Sequence, residues 1–189
     1  MKKEKVKKKI FFIALVISIA SITLAFLKIH HWYYPAVISV WLVFDCLTKS
    51  NKTAFSLIIN RKYKQFIKLY LALFLFGLTI EIIGQYFLHF WYYPELQTAL
   101  MLITIPFFYP FILMSFREMY ETIRRKIKKA LIPTTFLGII IWEIPNLTSK
   151  DWIYTIPWFP EIGGINMLVI LGWPILILGS KEIYKKILK

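Results

Sequence analysis

Two glutamates lie inside otherwise apolar stretches, and they are the residues best placed to do chemistry. Glu81 lies ten residues before Trp91, and Glu143 lies nine residues before Trp152. An ionised carboxylate is costly in hydrocarbon, so such residues face the interior of a helix bundle and find partners there. Desolvation and mutual repulsion favour the protonated form, from which a carboxyl group donates a proton. We therefore predict that Glu81 and Glu143 are catalytic general acids of one cavity. The alternative is that they only hold helices together through hydrogen bonds.

A repeated aromatic segment follows the first glutamate. The sequence His89-Phe90-Trp91-Tyr92-Tyr93-Pro94 has a near-copy upstream, His30-His31-Trp32-Tyr33-Tyr34-Pro35, and a looser third version, Trp158-Phe159-Pro160. Each copy lies between two apolar stretches. Trp and Tyr are favoured at the boundary between hydrocarbon and headgroups. The three segments are therefore predicted to lie in the tips of three membrane hairpins, and the third tip is the longest, from Pro145 to Glu161.

The tips and their neighbours supply the predicted ligand-binding residues. Aromatic rings there could pack on a polyene chain and stabilise a cationic intermediate, and imidazole or amide groups add polar contacts. The predicted residues are His30, His89, Trp91, Tyr92, Asn146, Trp152, Tyr154 and Asn166. The alternative is that the histidines anchor the tips at the interface and that the asparagines belong to a polar helix end. No metal site is predicted, because the histidines lack the tight helical spacing of zinc ligands, and no cofactor motif is found.

Composition indicates a bilayer as the solvent of the chain. Of 189 residues, 58% are hydrophobic, whereas about 45–50% is usual in a soluble domain. The net charge of +14 comes from Lys and Arg that adjoin apolar stretches, as expected of loops on the cytoplasmic side. This placement argues against a nucleic-acid partner and puts both termini in the cytoplasm. Cys46 is the single cysteine, which excludes an intrachain disulfide.

The apolar stretches predict an all-α integral membrane protein with about six transmembrane helices in one domain, residues 1–189. The helices form three parallel hairpin repeats at about residues 10–47, 66–116 and 130–180. The second of the six predicted helices is apolar but short. Arg117-Glu118-Met119-Tyr120 matches Lys181-Glu182-Ile183-Tyr184, so hairpins two and three are the closer pair. Parallel repeats packed around an axis along the membrane normal would enclose a central space.

One arrangement of residues is similar to a known family. Glu81, the tip Trp91-Tyr92-Tyr93 and Pro106, and again Glu143, Trp152 with Tyr154, and Pro174, resemble the small repeated membrane domain of carotenoid-type lycopene cyclases. The resemblance implies polyprenyl chemistry, as in carotenoid biosynthesis. The chain departs from that family because neither proline is followed by its paired glutamates.

These patterns favour a membrane protein that binds or converts an isoprenoid or lipid in an aromatic-lined intramembrane cavity. Its partners are then membrane lipids and one isoprenoid or lipid ligand. One alternative is a small proton- or cation-coupled transporter in which the two carboxyl groups couple transport. A second alternative is a non-catalytic membrane scaffold.

Overall fold

Helices dominate the computed structural model, which describes residues 2–48, 50, 52–94 and 98–188. Within these ranges the α-helices are α1 Lys2–Phe26, α2 Tyr33–Leu47, α3 Ala54–Ile59, α4 Tyr63–Glu81, α5 Thr98–Arg124, α6 Leu131–Gly138, α7 Ile144–Ser149 and α8 Met167–Ile187. Two π-helical turns interrupt them, Ile82–Phe87 after α4 and Ile139–Glu143 between α6 and α7. Short strands pair as β1 Trp91–Tyr92 with β2 Ile153–Tyr154, and as β3 Glu161–Ile162 with β4 Ile165–Asn166.

Four helical stretches of the described chain are long and apolar enough to cross a membrane. They are Glu4–Phe26, Tyr63–Phe87, Leu131–Ser149 and Met167–Ile187, of 23, 25, 19 and 21 residues. About 20 apolar residues are needed to cross a hydrocarbon core of about 30 Å. The prediction of a mostly helical chain with helices of membrane-spanning character is therefore confirmed. Helix α2 is apolar but has only 15 residues, in agreement with the prediction that the second apolar stretch is short.

Contacts between distant segments gather the basic parts of the chain at one end of the molecule. Lys7 near the N-terminus donates to Ser56 Oγ at 2.8 Å. Thr48, just after α2, bonds to Thr122 near the end of α5, with 2.8 Å between the hydroxyl oxygens. The N-terminal segment, the α2–α4 connection and the end of α5 therefore lie together.

The matched segments of α5 and α8 also meet at this end, and they contact one another reciprocally. The Arg117 guanidinium lies 4.5 Å from the ring centroid of Tyr184. The Lys181 ammonium lies 5.1 Å from the ring centroid of Tyr120. Cation–π pairs of this kind form when a cation lies within about 6 Å of an aromatic ring centroid. Each cation of the repeated sequence thus lies over the tyrosine of the other copy.

The tips meet at the opposite end. The backbone N–H of His31 donates to Asp151 Oδ1 at 2.9 Å. Strand β1 pairs with β2 in antiparallel register, with Trp91 opposite Tyr154. All three predicted tips therefore contribute residues to this end of the molecule.

Helix α5 occupies the centre and contacts α2, α4, α6 and α8, whereas α1 packs on α2 and α7. Close approach of the helices depends on small residues, as is common in membrane bundles. A Cβ atom on Gly77 of α4 would lie 2.7 Å from the Tyr109 side chain of α5. A Cβ atom on Gly179 of α8 would lie 2.5 Å from the Phe76 ring of α4. These glycines bring α4 against both α5 and α8.

Candidate functional site

Glu81 is held in a cluster of aromatic hydrogen-bond donors. It is the last residue of α4, directly before the first π-helical turn, and its side chain is buried. Trp91 Nε1 donates to Glu81 Oε2 at 3.1 Å, and Tyr93 Oη donates to Oε1 at 2.8 Å. The hydroxyl of Tyr109, from α5, is a further hydrogen-bond partner of this carboxyl group. Each oxygen of Glu81 therefore has a donor directed at it.

The tip bends back onto the helix because position 84 has no side chain. Phe90 N donates to the Gly84 carbonyl at 2.7 Å, which turns the chain toward α4. The ring of Trp91 then lies across Gly84, where a Cβ atom would be only 1.8 Å from Trp91 Cη2. Glycine at position 84 thus lets the indole reach Glu81.

Glu143 is held in the same way. It is the last residue of the second π-helical turn, and it is buried. Tyr154 Oη lies 2.9 Å from Glu143 Oε1 and 3.1 Å from Oε2. Trp152 Nε1 lies 3.4 Å from Oε2 and also donates to Tyr154 Oη at 3.0 Å. Trp173 of α8 lies beside this carboxyl group.

The indole of Trp152 is positioned by Asn146. Asn146 Nδ2 donates to the Trp152 carbonyl at 2.8 Å, and Trp152 N donates back to Asn146 Oδ1 at 3.1 Å. Lys150 adopts a left-handed conformation, with φ of 55°, at the end of α7. The turn and the asparagine together fold the third tip back over Glu143.

Both glutamates adjoin π-helical turns, which are rare and often mark functional sites. The ladder of β1 and β2 joins the two clusters, since Trp91 pairs with Tyr154 across it. Successive side chains of a strand point to opposite faces. Trp91 and Tyr93 accordingly both reach Glu81, whereas Tyr92 between them is 44% exposed.

Tyr93 and Tyr154 donate hydrogen bonds to Glu81 and Glu143 because their phenols are protonated. Burial, followed by the neighbouring charge of Glu81, raises the pKa of Tyr93 well above its ordinary value. Burial and the charge of Glu143 raise the pKa of Tyr154 in the same direction. Both phenols therefore keep their protons through the range in which proteins are handled, and each remains a donor to its carboxyl group.

Glu81 and Glu143 line one cavity of about 430 Å³. Its walls come from α2, α4, α5, α8 and both π-helical turns, and they are mostly aromatic and aliphatic. Tyr109 of α5 and Trp173 of α8 lie in the wall beside the carboxyl groups. The cavity can therefore hold an apolar molecule in contact with two carboxyl groups and several aromatic rings.

Some of the predicted site residues come together in this cavity. Both predicted catalytic residues, Glu81 and Glu143, line it, as do the predicted ligand-binding residues Trp91, Trp152 and Tyr154.

The other predicted ligand-binding residues lie elsewhere. Tyr92 and His89 are on the exposed side of the second tip. His30 is 40% exposed, and its Nδ1 lies 3.5 Å from Oδ1 of the buried Asp151. Asn166 caps α8, accepting from Leu168 N at 3.0 Å, and Asn146 braces the third tip. Among the described residues no three His, Cys, Asp or Glu side chains gather as a metal site.

Sequence reasoning overlooked three residues of the site, Tyr93, Tyr109 and Trp173. A signal for them was present. Both tips carry Trp-x-Tyr, and Tyr109-Pro110 matches Trp173-Pro174 at a spacing of 64 residues. Arg117 and Lys181 have the same spacing. The comparison of Pro106 with Pro174 concealed this match.

Comparison of the chain with protein-family models, with curated proteins and with solved structures finds no match.

Proposed function

We propose that this chain is a membrane protein that binds a long apolar isoprenoid or lipid and transfers protons to it from Glu81 and Glu143. The observation that carries the proposal is the pairing of two buried carboxyl groups with aromatic walls in one cavity. Pockets between helices of a bundle are common sites for small molecules.

The character of the walls favours an apolar ligand over an ion. An ion or proton path through a membrane needs polar groups or water along its length. Here the polar groups concentrate at the two carboxyl clusters, and the described wall between them is aromatic or aliphatic. The resemblance to lycopene cyclases points to a polyprenyl chain as the apolar ligand.

The chemistry follows from the donors at each carboxyl group. A neutral carboxyl group gives its proton to a carbon–carbon double bond, whose π electrons form the new C–H bond and leave a carbocation. Facing aromatic rings stabilise that cation. The carboxylate left behind accepts hydrogen bonds already in place from Trp91 and Tyr93, or from Trp152 and Tyr154. Such preorganised donors lower the cost of the developing negative charge. Loss of a proton from the cation restores the carboxyl group.

The topology belongs to the same proposal. Helices α2 and α5 cross the membrane together with the four long apolar stretches, giving three parallel hairpins. The basic end is cytoplasmic, in keeping with the preference of Lys and Arg for that side. The contacts that join Lys7, Ser56, Thr48 and Thr122 at one end support this arrangement.

Mass spectrometry of the organic extract from gently purified protein tests the proposal. Wild type is compared with Glu81→Gln and Glu143→Gln, and with Glu182→Gln, which changes an exposed glutamate of α8. We expect one stoichiometric isoprenoid or lipid in wild type and Glu182→Gln, and a changed amount or identity in the two cavity variants. Only bulk phospholipid in all four proteins would overturn the proposal and favour a scaffold.

A further inference from the structure

The cavity is open on one side of the molecule. Ile83 and Leu88 line it, yet each is 47% exposed, and Ile175 lines it while 66% exposed. Ile83 belongs to the first π-helical turn, Leu88 follows that turn, and Ile175 follows Pro174 in α8. The opening therefore lies between the outer part of the α4 span and the middle of α8. We call this opening the α4–α8 slot.

The α4–α8 slot has a closed base and a closed roof. Its base is the contact of Phe76 with Gly179, where a Cβ atom on the glycine would meet the ring at 2.5 Å. Its roof is the joined pair of tips, where Thr155 N donates to the Phe90 carbonyl at 2.9 Å and Thr155 Oγ1 donates to the His89 carbonyl. Among the described residues, the base and the roof leave the sideways direction open. Since α4 and α8 belong to stretches that are long and apolar enough to cross a membrane, we infer that this direction is toward hydrocarbon.

The position that matches the α4–α8 slot at the Glu143 cluster lies between α5 and the second π-helical turn. We call this position the matching slot. There α2 fills the gap. Tyr33 and Val37 of α2 line the cavity and are buried. Tyr34 packs on Phe108 of α5, with 4.9 Å between ring centroids. Trp32 stacks on Trp142 of the π-helical turn at 6.2 Å. Hairpin one thus covers the matching slot.

We propose that the apolar ligand enters and leaves the cavity from the bilayer through the α4–α8 slot, while hairpin one closes the matching slot. This inference rests on the proposed function. Entry from the bilayer limits the class of ligand to molecules that dissolve in the membrane core and are long enough to reach from the lipid into the cavity. Passage through water would expose the apolar chain of the ligand at an unfavourable free energy, whereas sideways entry keeps that chain in an apolar medium throughout.

Photolabelling in vesicles tests the slot directly. The probe is a long-chain fatty acid with an alkyl diazirine in its chain, dissolved in phosphatidylcholine vesicles that contain the full-length protein. After brief incubation and illumination, mass spectrometry locates the label on cavity residues and on lipid-facing residues. Ile83→Trp and Ile175→Trp place a larger ring on opposite walls of the slot.

Matched controls lie on the same two helices. Leu71 of α4 and Leu171 of α8 are each 52% exposed, and neither lines the cavity. Leu71→Trp and Leu171→Trp therefore add the same ring to the lipid-facing surface alone. Thermal unfolding of all variants confirms that the slot variants remain folded.

We expect the rate of cavity labelling to fall about tenfold in Ile83→Trp and Ile175→Trp, the factor for a steric cost of about 1.4 kcal/mol. Labelling of lipid-facing residues, and of the cavity in both controls, should stay at the wild-type level. Equal cavity labelling in slot variants, controls and wild type would overturn the slot while leaving the proposed function intact. Absence of cavity labelling in wild type would overturn the proposed function and the slot together.

Discussion

The Glu81 cluster and the Glu143 cluster use the same kinds of residue. Each has a glutamate at a π-helical turn, a tip with the sequence Trp-x-Tyr, and an aromatic residue before a proline in α5 or α8. They differ in what lies behind them. Trp32, which lies between α1 and α2, packs between Trp142 and Trp152 with 6.2 Å between ring centroids in each pair. Its Nε1 donates to Ser149 Oγ at 2.8 Å. On the Glu81 side, Ile83 and Leu88 are half exposed.

Two carboxyl clusters made of the same kinds of residue thus become unlike because the segment around Trp32 packs behind one of them. At the opposite end of the molecule the cation–π contacts are reciprocal, with Arg117 over Tyr184 and Lys181 over Tyr120. Trp32, between α1 and α2, braces the Glu143 cluster. We therefore expect the Glu143 half to be the more rigid one and the Glu81 half to face the bilayer.

The largest effect is expected from removing the brace. Trp32 is 1% exposed and stacks on two other indoles, so Trp32→Ala should lower the free energy of unfolding by about 3–5 kcal/mol. Thermal or chemical unfolding in detergent measures the change. Trp158→Ala, at a ring that is 71% exposed, is the control and should change the stability by at most about 0.5 kcal/mol. Equal changes in the free energy of unfolding in the two variants would mean that Trp32 does not brace the Glu143 cluster.

A smaller effect is expected from crowding the Glu81 half. In Gly84→Ala the new Cβ would clash with Trp91, which should cost about 1–3 kcal/mol and move the indole away from Glu81. Gly172→Ala is the matched control, because nothing lies within 4 Å of its Cβ position. Unfolding measurements and the indole fluorescence spectrum report the two consequences. An unchanged spectrum in Gly84→Ala would contradict the packing of Trp91 across this glycine.

The smallest effect is expected from the tip hydroxyls, and it depends on pH. Tyr93→Phe and Tyr154→Phe each remove one donor to a buried carboxyl group, at a cost of about 1 kcal/mol near neutral pH. The folded pKa values of both tyrosines are raised, whereas an unfolded tyrosine ionises near pH 10. Their contribution to stability is therefore present below about pH 10 and is lost as the pH rises further.

Unfolding at a series of alkaline pH values checks this sign. The wild-type free energy of unfolding should fall above about pH 10, and the fall should be shallower in the double variant Tyr93→Phe with Tyr154→Phe. Parallel curves for the two proteins would contradict the raised pKa values. A larger effect of Tyr154→Phe than of Tyr93→Phe would sharpen the contrast between the braced half and the open half.

Much of the site could be predicted from the chain itself. Glu81 and Glu143 stood out because carboxyl groups are costly in hydrocarbon, and the repeated tips indicated Trp91, Trp152 and Tyr154. The choice between Tyr92 and Tyr93 could not be made without knowing that the tip is extended, since alternation then decides which tyrosine faces the glutamate. His30 and His89 share a place in the repeat, but they lie at the surface.

Composition and the placement of apolar stretches were enough to establish that the chain is mostly helical, that it has apolar helices of membrane-spanning length, and that two carboxyl groups lie within them. These properties follow from local hydrophobicity and from the cost of burying charge. Tertiary structure alone decided that both carboxyl groups share one cavity, that aromatic donors hold them and that α2 covers one side. Those features depend on contacts between distant segments, such as Trp91 with Glu81 across Gly84 and Trp32 with Trp142, because side-chain packing between helices has no period that a linear sequence displays.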